Sequence, residues 1–236
     1  MTTETREKTI AAPTLEHIEA WVFDLDNTLY PASCNLFGQI DERMGRFISD
    51  FLGIDRGEAR RVRKDYLHAY GTTLRGLMEN HGMAPDVFLD YVHDIDHSPV
   101  PESPTLKAAL DGLAGPKYVY TNASLGHAES VMARLGVTHL FEDIFHIASA
   151  DYVPKPEPGA YDRMVSQFGL VPQRAILADD MARNLAPAAA LGMTTLWVSS
   201  HGEDARIGEP DPHIHHVAED LADWLAAVAE ARGRLD

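Results

Sequence analysis

The chain has 236 residues, 45% of them hydrophobic and 24% charged, which is enough for one sizeable core plus a smaller second unit and argues against disorder. Its formal charge of −16 excludes the basic face that a binder of polymeric nucleic acid or of a membrane surface would need. One cysteine, Cys34, leaves no intramolecular disulfide to form, and no apolar run approaches the ~20 residues of a membrane span, so a reducing cytoplasm is the expected setting.

In chain order, residues 1–17 carry no long apolar segment and are expected as a disordered tail. The first strand follows as Trp21-Val22-Phe23 and runs into Asp24, Leu25 and Asp26. If the chain stayed extended, both carboxylates would face one side and repel unless a positive group lay between them. Apolar runs of strand length return at "KYVYTN" from Lys117, "DIFHIAS" from Asp143, "RAILADD" from Arg174 and "TTLWVSS" from Thr194. Helix-like segments separate them: Leu125 to Gly136, with a glycine suited to a C-cap, then Gly159 to Leu170, then Asn184 to Met193. A last helix is expected from the spacing of Val217, Leu221, Trp224, Leu225 and Val228. The pattern predicts an α/β fold with a doubly wound parallel sheet of about five strands.

The connection from Asp24 to Lys117 is about three times as long as a whole βαβ unit of ~30 residues. Its apolar stripes, beginning with Leu36, Ile40, Met44, Phe47, Ile48 and Phe51, predict four helices bounded by glycines and Pro85. A helical cap over residues 33–98 would thus interrupt a core made of residues 18–32 and 99–236. The proline-rich stretch between His97 and Pro116 would be the linker back. An insertion after the first strand lies over the strand ends, where open α/β sheets bind ligands.

The same edge should collect Thr121 and Asn122 from the second strand, Asp179 and Asp180 from the fourth, and Lys155 from the proline-flanked "VPKPEPG". Clustered carboxylates without histidine or cysteine partners favour a hard cation such as Mg2+ that also takes phosphate oxygens. One aspartate could then attack phosphorus while another exchanges protons.

The segments "DLDNT", "YTNA", "PKP" and "LADDMARN" occur in the order of the four motifs of the haloacid dehalogenase superfamily, and the chain resembles that superfamily with its type-one helical cap. The resemblance implies a Rossmann-like core in which Asp24 is the nucleophile and Asp26 the general acid/base. It implies Thr121, Asn122 and Lys155 as phosphate-binding residues and Mg2+ held by Asp24, the Asp26 backbone carbonyl, Asp179 and Asp180. Thr28 and Asn184 would support the site. Two positions depart from the family pattern: Ala178 stands where glycine is usual and Asn184 where a second acid is usual, so either Asp179 or Asp180 could touch the metal.

Within the superfamily, "FDLDNTLYP", "YGTTLRGLM" and "YVHDID" are similar to the pyrimidine 5'-nucleotidases, which implies hydrolysis of a small phosphate ester, a nucleoside monophosphate, by a monomer or small homo-oligomer. The alternatives are a phosphatase of another metabolite, a dehalogenase, or a silent binding protein. Tyr70, Thr73 and Arg75 are the cap residues placed to meet a substrate, with Tyr66 and Thr72 beside them, though packing or solvent exposure explains each of them better than ligand contact. His93, Asp94, Asp96 and His97 read as structural hydrogen-bonding residues near the hinge, Cys34 as an incidental thiol, and "HIHH" (213–216) as no zinc site, lacking acid or cysteine partners at ligand spacing.

Overall fold

The computed structural model describes residues 15–199 and 211–233. Its strands are β1 (Ala20–Phe23), β2 (Lys117–Tyr120), β3 (Asp143–Phe145), β4 (Ala175–Asp179), β5 (Thr194–Val198) and β6 (His216–Ala218). All pairings are parallel, in the order β3-β2-β1-β4-β5-β6. The order reverses direction between β1 and β4, and that switch point is where a crevice opens at the strand C-termini. The α/β expectation holds with one strand more than five. Val217 lies in β6, and the last helix starts only at Leu221. A three-residue strand offers too little alternation to be separated from the helical spacing behind it.

Side-chain alternation along β1 divides the core. Trp21 and Phe23 join Leu25, Val119, Leu110, Met132 and Leu225 on one face, under α5 (Pro104–Asp111), α6 (Leu125–Leu135) and α9 (Leu221–Gly233). Val22 joins Tyr120, Leu177, Tyr161 and Leu185 on the other, under α7 (Pro158–Phe168) and α8 (Ala182–Ala190). The linker expected before β2 holds a helix: Ser103 caps α5, Pro104 stands in its first turn where a missing N–H costs nothing, and Gly112 lets the helix end come close to Ala229. The expected glycine cap of α6 is present, Gly136 having φ 74°. Residues 15–17, placed in the tail by the sequence, belong to the core: Leu15 is buried, and the Arg232 guanidinium donates to the carbonyls of Leu15 and Ile18. The rest of the expected tail lies outside the described residues.

Four helices fill the long first connection: α1 (Leu36–Leu52), α2 (Arg56–Tyr70), α3 (Thr73–His81) and α4 (Pro85–His93). Asp55 caps α2 and Thr72 caps α3 through side-chain oxygens. Ile40, Ile48, Leu74, Leu77, Phe88 and Val92 form an apolar cluster of their own, into which Ile147 and Tyr152 reach from the loop after β3. The Tyr152 hydroxyl also donates to Asp86 at 3.1 Å. No helix among the described residues is long and apolar enough to cross a membrane.

Candidate active site

Lys155 lies at the centre of the crevice with 2% of its surface exposed. Its Nζ donates to Asp24 Oδ1 at 2.7 Å, to Asp179 Oδ2 at 2.7 Å and to the Tyr120 carbonyl at 3.0 Å, so all three ammonium hydrogens are used. Burial alone would strip the charge from this lysine. Asp179 and Asp24 outweigh it and hold the ammonium above its ordinary range. The Lys155 backbone is fixed in turn by Asn122, whose Oδ1 accepts from the Lys155 N–H at 2.8 Å and whose Nδ2 donates to its carbonyl at 3.4 Å. Asn122 was expected on phosphate, but both ends of its amide are engaged in placing the lysine.

The acids divide into two groups. Asp24, Asp179 and Asp180 bring ligand oxygens within 4.8 Å of one another, the only grouping of metal-ligating side chains among the described residues. Asp179 is fully buried: its Oδ1 accepts from the Met181 N–H at 2.8 Å and Asn184 Nδ2 at 2.9 Å, its Oδ2 from Lys155 and, at 3.1 Å, from Asn184 again. Asn184, standing where the family pattern has an acid, thus holds Asp179 by its amide. Burial holds the Asp24 carboxyl well above the usual range, Asp179 and Asp180 add to that, and Lys155 opposes it. Burial and Asp179 push Asp180 up to about 7. Three carboxylates facing one lysine form a site with surplus negative charge, an all-oxygen donor set that suits a hard divalent cation. Thr28 links the group: its hydroxyl accepts from the Asp180 N–H at 3.0 Å and lies 3.5 Å from Asp24 Oδ2.

Asp26 stands apart. β1 ends at Phe23, before Asp24, and a turn with Asn27 at φ 59° follows Asp26, so the two carboxylates do not belong to one extended strand. The Asp26 side chain is absent from the metal-ligating group, so the structure does not bring its carboxylate to the cluster. Its Oδ1 instead accepts from the Tyr30 hydroxyl at 2.6 Å and faces His127 Nε2 at 2.9 Å. Burial would raise this carboxyl, yet His127 and Tyr30 together bring it below the ordinary value. Neither partner is singled out by the sequence. Tyr30 follows four residues behind, which only a turn makes close, and His127 comes from α6.

Thr121 is buried, its hydroxyl oxygen accepting from the Ala123 N–H at 3.0 Å and its own hydrogen left to donate. Of the cap residues, Tyr70 donates to Asn80 at 3.2 Å, Thr73 to the Arg63 carbonyl at 3.4 Å, and Arg75 pairs with Glu79 at 2.8 Å. All three are bonded within the cap. The turn that carries them nevertheless abuts the site: a Cβ on Gly71, whose φ is 79°, would lie 3.4 Å from Pro154 Cγ and 4.0 Å from the Lys155 carbonyl. Asp94 pairs with Arg43 and Asp96 accepts from Ser98, as hinge hydrogen-bonding residues should. His213 and His215 are engaged with the Ala182 carbonyl and with Thr195, and burial raises the Cys34 thiol.

With this geometry in place, a family model described as haloacid dehalogenase-like hydrolase matches residues 18–192. The chain belongs to that family. The residues matched include β1 with Asp24, the four helices α1–α4 and β4 with Asp179. Among curated relatives, phosphate metabolism protein 8 of Saccharomyces cerevisiae is 28% identical over 74% of this chain and 60% of its own length. The chain therefore spans less than two thirds of that relative. Two solved structures share the fold. The HAD-hydrolase YfnB of Bacillus subtilis, bound to magnesium, has a TM-score of 0.57 at 12% identity, covering 89% of this chain and 98% of that one. The L-2-haloacid dehalogenase of Xanthobacter autotrophicus has a TM-score of 0.57 at 16% identity, with the same coverage.

Proposed function

We propose that this family member is a Mg2+-dependent phosphomonoesterase that forms a phosphoryl intermediate on Asp24 and acts on pyrimidine nucleoside 5'-monophosphates. The observation that carries the reading is the division of the acids: Asp24 gripped by Lys155 beside Asp179 and Asp180, and Asp26 held separately by Tyr30 and His127. An Asp24 oxygen attacks phosphorus, the bond from phosphorus to the ester oxygen breaks, and that oxygen leaves with a proton carried on Asp26, whose carboxyl the arriving negative phosphate raises from its low resting value. Asp26, now a carboxylate, takes a proton from water as the water oxygen attacks phosphorus and the bond to Asp24 breaks. The Lys155 ammonium, as a positive charge, and the free hydroxyl hydrogen of Thr121 would stabilise the charge that develops on the phosphoryl oxygens. Asp24, Asp179, Asp180 and the Asp26 carbonyl are the groups that would hold Mg2+, which when bound supplies charge neutralisation between carboxylates and phosphate. That the YfnB neighbour is bound to magnesium supports a divalent cation in this fold.

The dehalogenase neighbour shows that the fold alone does not choose between attack on phosphorus and attack on carbon. Asp26 favours phosphorus, because a departing halide takes no proton while an ester oxygen does. The nucleotide preference rests on the cap segments "YGTTLRGLM" and "YVHDID" and is the finer part of the proposal. The single cysteine fits a reducing cytoplasm, and the acidic composition does not exclude a small anionic substrate, because a cation and Lys155 can reverse the field inside one pocket.

The test is phosphate release from UMP, CMP, dUMP, dTMP, AMP, GMP and several sugar phosphates, with Mg2+, with EDTA, and with Asp24→Asn as blank. Mg2+-dependent release favouring the pyrimidine nucleotides is expected. Preference for sugar phosphates would remove the nucleotidase assignment, and no release from any ester would remove the phosphatase reading.

A further inference from the structure

Three histidines from three parts of the chain meet behind Asp26. His127 on α6 is buried to 2% exposure, and its Nε2 lies 2.9 Å from Asp26 Oδ1. Its other nitrogen, Nδ1, lies 3.1 Å from Nε2 of His97, in the hinge after α4. The ring of His93, the last residue of cap helix α4, stacks on it at 4.6 Å between centroids, and His93 Nδ1 is 2.8 Å from the hydroxyl of Ser124, the cap residue of α6. In the tautomer that donates from Nε2, His127 accepts at Nδ1, and His97 Nε2 lies in place to supply that hydrogen. Polar side chains linked in this way hold one another near a single geometry.

The consequence falls on one oxygen. Tyr30 and His127 both donate to Asp26 Oδ1, so that oxygen is occupied twice. We propose that His127 is a positioning residue for Asp26, orienting its carboxyl so that Oδ2 is the atom that gives the proton to the leaving oxygen and later takes one from water. His97 fixes the tautomer of His127, and His93 packs the cap against the ring, so that the docked cap and an aligned Asp26 belong to the same arrangement. The inference rests on the phosphomonoesterase reading and adds to it a residue that touches neither phosphate nor metal-ligating carboxylates.

The leaving group separates positioning from packing. An alkyl phosphate needs a proton on its departing oxygen, while 4-nitrophenolate departs without one, and both leave the same phosphoryl group on Asp24. In His127→Ala, kcat for the best alkyl phosphate of the substrate panel should fall about 100-fold, the effect of a catalytic group displaced by about 1 Å, with KM changed little. On 4-nitrophenyl phosphate the same variant should keep its burst of nitrophenolate and then stall. Phosphorylated protein should accumulate in intact-mass spectra, because the water attack also needs Asp26. His127→Gln, which keeps a donor near the Nε2 position, should recover most of the loss. His97→Ala, at a half-buried position, should show the same pattern at about a tenth of the size if the larger change fails to fold.

Equal losses on both esters with a shrunken burst, or no loss at all, would overturn the positioning role. Asp26→Asn tells the two failures apart. If Asp26→Asn stops alkyl ester hydrolysis while His127→Ala does not, this inference alone falls; if Asp26→Asn remains fully active, the reading beneath it falls as well.

Discussion

The strand-end site and the cap above it are held together by different physics. In the core, Lys155, Asp179, Thr121 and Asn184 are all buried, and each polar group has a named partner at hydrogen-bond distance. In the cap, Arg75 and Tyr70 make polar contacts at the surface, Arg75 with the next turn of its own helix, and an apolar cluster supplies the cohesion. Buried charge tolerates one arrangement, because any unpaired member costs several kcal/mol. A surface ion pair one turn apart is worth a few tenths and can be replaced without changing the fold. On the proposed reading, the contrast would fix the chemistry below and leave substrate selection to the cap above.

Lys155→Met is the sharpest way to break this comparison. It leaves Asp24 and Asp179 facing each other with no counter-charge, and should cost about 3–5 kcal/mol of stability, together with roughly 100-fold or more in kcat. Chemical denaturation and steady-state kinetics check the two parts separately. A stability loss under about 1 kcal/mol would mean that the carboxylates are not held as described here.

A smaller effect should appear at the seam between the two regions. Burial and the neighbouring His127 and His97 hold His93 neutral down to about 3, against an ordinary 6.5. Between those values the folded chain binds fewer protons than the unfolded one, so His93 stabilises fully above about 6.5 and its contribution drains as pH falls, at about 1.4 kcal/mol per pH unit. Asp180 has the opposite sign: raised to about 7, it is protonated first in the folded chain, and acidification adds stability there. The Asp180 contribution is common to wild type and His93→Gln and cancels in the difference. From pH 6.5 to 4.5 the wild type should lose about 2 kcal/mol more than the variant, and parallel stability curves would contradict the buried neutral state.

The smallest effect belongs to the cap. Thr72 accepts from the Arg75 N–H at 3.2 Å at the start of α3, and Thr72→Ala should cost about 1 kcal/mol of cap stability. Because that turn abuts the Lys155 loop without touching its charges, KM should move more than kcat. A selective fall in kcat would place Thr72 in the reaction itself.

How much of this could be read from the sequence follows the same division. Asp24, Thr121 and Asp179 stand at strand ends and Lys155 in the proline-flanked loop after β3, and the strand order brings these ends to one crevice. The partition of the acids was not legible, because it depends on the turn after Phe23 rather than on spacing along a strand. Nor was His127, which meets Asp26 only through the docking of α6. Asn184 reads as a supporting residue and holds Asp179, while Asn122, expected on phosphate, holds the Lys155 backbone, a role an amide in a sequence does not announce. The helix α5 was hidden by prolines that mark a linker as readily as a first helical turn. In the cap the reverse occurred: the apolar spacing predicted four helices, while the hydrogen bonds that occupy Tyr70, Thr73 and Arg75 could not be foreseen.

The central claim is that Asp24 is the atom source of a covalent phosphoryl intermediate. Rapid acid quench of the Mg2+-loaded protein with a turning-over phosphate ester, followed by peptide mass spectrometry, tests it directly. The account predicts a phosphorylated peptide containing Asp24, formed within one turnover and absent from Asp24→Asn. Phosphate release at full rate with that peptide never modified would contradict it.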